Sequence, residues 1–281
     1  MQLHPFDDIQ EFWHATQTYL LQNEAEHNAL LGILQTLLTH PERYSEPPYL
    51  AFVEQNSQIL AIALRTPPDH LLLSKVQDLD ALKLIAQDLQ REQLPGVSGL
   101  VAETEAFVQI WHMLTGQAYQ REFESRIYQL TQVEPVPRAK GYLRPVIPSD
   151  RPLLLEWFAA FNAETDLVSD GEIERRVDVE LKRQSTYLWE DSVPVSMVGG
   201  RQFSSTSARI APVYTPPEHR RKGYAMAGVA ALSQQLLDQG CDRCFLFTDL
   251  ANPTSNSIYQ QIGYRPVCDW HEYGFISTEL P

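Results

Sequence analysis

Apolar positions along this chain switch between helical and extended spacing. Over residues 8–38, Phe12, Thr16 and Leu20 and then Leu30, Ile33 and Leu37 recur at helical intervals, which predicts helix. Residues 49–53 and 59–64 are apolar runs around a polar stretch, Glu54 to Gln58, the signature of a hairpin. The same plan returns farther on. Ser149-Asp150 is placed to cap a helix through Leu153, Leu154, Trp157 and Phe161. A second helix is expected over 171–183, and a second hairpin pairs 186–189 with 195–200 around 190–194. Residues 208–214 read as a strand, and Ala225, Val229, Leu232 and Leu236 as the stripe of a long helix reaching about Gln239. A strand over 245–248, a short helix over 254–262 and closing strands over 269–277 complete the order ααβββαβαβ, which predicts a layered α/β domain.

The chain has 281 residues, enough for two domains at about 150 residues each. Between Val133 and Gly141, two prolines, charge and a glycine interrupt both periodicities, as linkers do. The boundary falls near 138, dividing the chain into 1–138 and 139–281. Both halves place helices before a hairpin, and Arg65-Thr66-Pro67-Pro68 echoes Tyr214-Thr215-Pro216-Pro217, so a degenerate duplication is expected.

The hydrophobic fraction of 43% and charged fraction of 21% suit a globular core. Nine basic against eighteen acidic residues precede Gly141, and thirteen against eighteen follow, for a net charge of −14. Such a charge argues against nucleic acid as partner, because a duplex binder must displace phosphate counterions. No apolar run approaches the ~20 residues that span a bilayer. The first residues lack the basic start and apolar stretch of an export signal, so a cytoplasmic location without membrane association is expected. Cys241, Cys244 and Cys268 are too few for a disulfide framework. Cys241-Asp-Arg-Cys244 has no second ligand pair for zinc, so no metal is expected and Cys244 reads as a small apolar residue of its strand.

The chemistry concentrates in residues 213–225, where a strand end feeds a helix. A helix start exposes unpaired amides that favour an anion. Gly223 and Ala225 allow close approach, while Arg220, Arg221 and Lys222 make a basic cluster in an acidic protein. G-x-G-x-x-G and the nucleotide P-loop pattern are both absent. Arg220-x-x-Gly223-x-Ala225 instead resembles the cofactor motif [RQ]-x-x-G-x-[GA] of the GNAT superfamily of N-acetyltransferases. Farther on, Asn252, Ser255, Tyr259, Gly263 and Tyr264 fit a second signature of that family, N-x-x-[AS]-x-x-x-Y-x-x-x-G-[FY]. The resemblance covers about 144 to 275.

It implies a mixed central sheet flanked by helices, in two tandem related domains, with acetyl-CoA as co-substrate in the second. The pantetheine arm would lie between two splayed strands, beside Val213, Tyr214 and Thr215. The pyrophosphate would rest on the amides from Arg221 to Ala225, Tyr224 included, with Asn252 on the pantetheine and Ser255 a further contact. An acceptor amine, on a small molecule or peptide, would attack directly, and Tyr259 would protonate the leaving thiolate. Bland readings stand beside these: Tyr259 as a packing residue, Asn252-Pro253 as a helix entry, His219 as a surface residue. Relatives carry a glutamate on the strand before the motif, but 208–215 contain no carboxylate. Glu164 is the candidate substrate anchor or base, or an exposed acid. Residues 1–138 lack both signatures and read as a degenerate GNAT-like or accessory domain whose acidity favours a cationic acceptor. Two rival readings are a non-catalytic acyl-CoA-binding or interaction module and a transferase using a longer acyl-CoA.

Overall fold

The computed structural model describes residues 1–165 and 170–276. The described residues divide into two compact units, one of residues 1–127, 249–251 and 267–276, the other drawn from 128–248 and 252–266.

The first unit opens with β1 (Gln2–Phe6), α1 (Ile9–Leu21) and α2 (Glu24–Thr39). Asp8 caps α1 by accepting the Gln10 and Glu11 amides. The helical stretch expected over 8–38 is two helices. They break at Gln22-Asn23, where the buried His27 donates from Nδ1 to the Leu20 carbonyl at 2.9 Å and satisfies the end of α1. Strands β2 (Tyr49–Gln55) and β3 (Gln58–Arg65) form the expected hairpin. Its two-residue turn, Asn56-Ser57, has positive φ at both positions, the conformation that matches strand twist. Then come β4 (Leu71–Leu73), α3 (Ala81–Leu89), β5 (Gly96–Leu100), α4 (Val101–Thr115) and β6 (Tyr119–Leu130), which enters the second unit at Tyr128. Leu82, Ile85, Phe107 and Trp111 from α3 and α4 pack against Val53, Ala61, Ala63 and Val97 of the sheet.

The second unit runs β7 (Tyr142–Pro145), α5 (Arg151–Glu164), α6 (Asp170–Arg183), β8 (Thr186–Asp191), β9 (Val193–Gln202), β10 (Ser207–Tyr214), α7 (Tyr224–Asp238), β11 (Arg243–Asp249) and α8 (Pro253–Ile262). That is the first unit's order repeated: a strand, two helices, three strands, then helix, strand, helix. Its strands lie side by side as β11-β10-β9-β8-β7. Successive strand residues point to opposite faces, and on β9 Met197 packs with Leu154, Trp157, Phe158 and Val177 of α5 and α6. Its neighbour Val198 packs with Val229, Leu232 and Leu236 of α7. Helices α5 and α6 therefore cover one face of this sheet and α7 the other.

Further expectations change. Strand β7 was hidden by its shortness; it pairs with β8 from Tyr142/Glu190 to Pro145/Tyr187. Asp150 does not cap α5. It accepts the Ile147 amide and pairs with Arg144 at 2.7 Å, which holds its carboxyl below the usual range. On α5 the buried stripe is Leu154, Trp157, Phe158 and Asn162, with Leu153 and Phe161 only half-buried. The tetrapeptide echo is not part of the repeat, because Thr66 follows β3 whereas Thr215 follows β10, the counterpart of β4.

The run over 269–277, read as closing the second half, belongs to β12 (Arg265–Phe275). From Val267 this strand lies in the first unit, pairing antiparallel with β5 from Trp270/Leu100 to Gly274/Gly96. Ser277 lies outside the described residues.

Between β9 and β10 the register jumps from Ile210/Gly200 to Val213/Val198, so Ala211 and Pro212 bulge opposite Gly199. A Cβ on Gly199 would stand 2.3 Å from the Ala211 carbonyl oxygen. Gly199→Ala should therefore cost about 1–3 kcal/mol, read as a lower denaturation midpoint. An unchanged midpoint would show that the bulge does not depend on the glycine.

Candidate active site

The site begins where two strands stop pairing. Strands β10 and β11 run parallel, but their ladder comprises Ser207/Arg243, Ala208/Cys244 and Arg209/Phe245 and then ends. Beyond it, β10 has backbone groups that must find other partners. Ser196 on β9 donates from Oγ to the Tyr214 carbonyl at 3.0 Å, and the Thr215 hydroxyl lies 2.8 Å from the same Oγ. Tyr214 thus turns its carbonyl towards β9. Backbone direction alternates along a strand, so Val213 turns its amide and carbonyl to the side that β11 has left. The Thr215 carbonyl accepts Arg220 Nε–H at 2.8 Å. Tyr214 itself is buried on α5, its ring 6.2 Å from that of Trp157.

After β10 the chain makes a 3-10 turn, Pro217–His219, and enters α7 through Arg221 and Gly223, both at positive φ (63° and 82°). A non-glycine residue there is strained. The first intrahelical bond runs from the Ala227 amide to the Gly223 carbonyl, and no side chain among the described residues caps α7. The amides of Tyr224, Ala225 and Met226 therefore point from a positive dipole end with no side-chain acceptor on them. Gly223 is exposed, and a Cβ added to it would meet nothing nearer than 3.9 Å, so the space above this turn is open. Arg221 and Lys222 are exposed beside it, with Lys222 Nζ donating to the Glu218 carbonyl. His219 is half-buried in the same loop. The Tyr224 side chain turns away, donating to Asp191 at 2.6 Å and packing on Trp189 and Val195, which leaves its backbone amide to the loop. That hydrogen bond to a carboxylate raises the Tyr224 phenol above its ordinary range.

On α8, Asn252 caps the helix: its Oδ1 accepts the Ser255 amide at 3.0 Å, and its carbonyl accepts from Asn256. The Ser255 amide is thereby occupied and its side chain half-buried. Tyr259 is buried, edge-on to Tyr264 at 6.1 Å, in a cluster that also packs against Val213. Burial pushes its phenol up to about 12, so it carries its proton throughout the neutral range. Glu164, the last residue of α5, is exposed and ion-paired with Arg220. The structure thus joins Glu164, Arg220 and Thr215 in one network, places 221–225 in the open loop, and brings Tyr259 and Val213 to one cluster. Cys244 is buried in β11, its thiol raised by burial.

Two contributors escaped the sequence reading. Ser196 carried no motif; the Gly199-Gly200 pair inside a strand, with Pro212 nearby, was the available signal for the bulge. Asp191, the last residue of β8, read only as a turn residue.

Residues 152–264 match the profile of the acetyltransferase (GNAT) family. This segment is a GNAT acetyltransferase domain. No curated protein matches the chain in sequence. Among solved structures, a Drosophila protein is similar over 98% of both chains at TM-score 0.69 and 12% identity. A GCN5-related N-acetyltransferase from Sphaerobacter thermophilus is similar over 99% of this chain and 97% of its own, at TM-score 0.60 and 13% identity. A tandem GNAT protein from the clavulanic acid biosynthesis pathway is similar over 99% of both chains at TM-score 0.57 and 10% identity. At these identities the likeness is one of fold, and it extends through both units.

The first unit repeats the GNAT element order but closes the corresponding position from within. Its β4–β5 ladder is Leu71/Val97 and Leu72/Ser98. Just beyond, the Lys75 amide donates to His27 Nε2, the Lys75 carbonyl accepts from Tyr19, and the Val76 amide donates to the buried Glu103. Asp78 and Asp80 precede α3, where the GNAT domain has Arg220, Arg221 and Lys222. A phosphate would meet repulsion there rather than a cradle.

The cap on α8 is separable from any ligand role of Asn252. Asn252→Ala should destabilise the second unit by about 1 kcal/mol and Asn252→Asp should not; equal stability of both variants in urea would contradict the cap.

Proposed function

We propose that this chain is an acetyl-CoA-dependent N-acetyltransferase that acetylates an amine of a small molecule or peptide. Catalysis is assigned to residues 139–281, with 1–138 a degenerate GNAT-like domain and the cytoplasm as location. One observation carries the reading. The uncapped amides at the start of α7, beside Arg221 and Lys222, open at the end of β10 where pairing with β11 has ceased.

Acetyl-CoA supplies the activated acyl group. The chain's part is binding, orientation and one proton. The amides of 221–225 and the flanking cations hold the diphosphate at the positive end of α7. Val213 offers an amide and a carbonyl to the pantetheine arm in place of the missing strand, as an added strand would be held. The acceptor nitrogen, arriving neutral, forms its bond to the acyl carbon as the carbon–sulfur bond breaks. Tyr259 gives its phenolic proton to the departing sulfur. Because burial holds that proton to about pH 12, tyrosine ionisation does not limit the rate at any ordinary pH. No carboxylate lies on β10, and Glu164 stands exposed to water at the end of α5, so the amine's proton is assigned to solvent. The lack of a strand carboxylate also supports the rival reading of a binding module without turnover.

Calorimetric titration with acetyl-CoA, followed by thiol release against a panel of amines, separates the two. The enzyme reading expects saturable binding abolished in Arg221→Ala/Gly223→Glu. It also expects turnover that falls about 100-fold or more in Tyr259→Phe with little change in KM for acetyl-CoA. Binding without turnover on any amine would favour the module, and an unchanged rate in Tyr259→Phe would remove the tyrosine from the mechanism.

A further inference from the structure

Glu164 and Arg220 join two parts of the site that the chemistry uses at different moments. Arg220 lies in the loop that leads into α7, and Glu164 is the last residue of α5. In the structure the Arg220 guanidinium is spent twice, on the Thr215 carbonyl through Nε and on Glu164 through Nη2. Neither acceptor belongs to the start of α7. The pair is also weak by placement, with side chains 43% and 47% exposed. Ion pairs at such exposure contribute little because water competes for both partners. A diphosphate carries more charge than one carboxylate and binds a planar guanidinium with two parallel hydrogen bonds.

We infer that Glu164 is a positioning residue that holds Arg220 back in the unliganded chain, and that the cofactor's phosphates must take the guanidinium from it. This rests on the acyl-CoA reading of the same loop. Three consequences follow from charge and geometry. First, Glu164 lowers affinity for the cofactor, although it touches only a side chain of the loop. Second, its effect operates through Arg220 and disappears without it. Third, it acts on the phosphate end of the cofactor and not on the pantetheine arm, which Val213 addresses. Release of Arg220 also leaves Glu164 without its cation. Acyl-CoA binding thereby changes the charge at the end of α5, and by linkage a cation at Glu164 would favour cofactor binding in return.

The test is a calorimetric comparison of CoA and pantetheine, the latter without phosphates, on the full-length chain. The variants are wild type, Glu164→Gln, Arg220→Gln and the double variant. Glu164→Gln should bind CoA about two- to fivefold tighter, the range an exposed ion pair can supply, with pantetheine affinity unchanged. In the Arg220→Gln background the same substitution should have no effect on CoA. Unchanged or weaker CoA binding by Glu164→Gln overturns the inference, as does tightening that persists without Arg220 or extends to pantetheine. Failure of the wild type to bind CoA overturns the acyl-CoA reading and this inference together, whereas normal wild-type binding with an inert Glu164→Gln overturns this inference alone.

Discussion

What the second unit can do depends on β10 and β11 parting after Arg209 and Phe245. A sheet interior ordinarily pairs every amide and carbonyl, and an abandoned strand end would be costly if buried without partners. Here the end is stabilised piecemeal. Ser196 takes the Tyr214 carbonyl and Arg220 takes that of Thr215. The bulge at Ala211-Pro212, permitted by Gly199, bends the strand ahead of them. The opening that results leads to a helix start whose amides have no side-chain cap. Gap and cradle therefore form one device, since the chain that leaves the gap is the chain that builds the cradle.

The first unit makes the same point by contrast. It has the same element order and a shorter parallel ladder, yet its strand end is occupied by His27, Tyr19 and Glu103. Its helix start is acidic rather than basic. One architecture thus appears in two states, one open towards an anionic ligand and one filled by the chain's own side chains. The His27 ring accepts the Lys75 amide and donates to Leu20, and burial lowers its affinity for a proton. It acts there as a neutral structural bridge.

Much of this was legible in the sequence, for identifiable reasons. The hairpins announced themselves because apolar runs of strand length surrounded polar turns, and α7 because its stripe from Ala225 to Leu236 held for about three turns. The loop from Arg220 to Ala225 could be read because charge, glycine and helix start coincide within a few residues. What escaped depended on contacts distant in sequence. Strand β7 is four residues long and is defined by its pairing with β8. The β12 pairing with β5 joins residues 270–274 to residues 96–100, far apart along the chain, and leaves no local pattern. Asp150 looked like a helix cap, and Arg144 took its carboxylate instead. Glu164 could be named as a candidate from its position after a helix, but its partner, 56 residues away, could not.

The central claim is that one unit offers a place for acyl-CoA and the other has filled its own. Native mass spectrometry of the full-length chain with increasing CoA tests it most directly. The account predicts a single CoA per chain at saturation, lost in Arg221→Ala/Gly223→Glu. A second CoA on the same chain, or a single one that survives that double substitution, would contradict it.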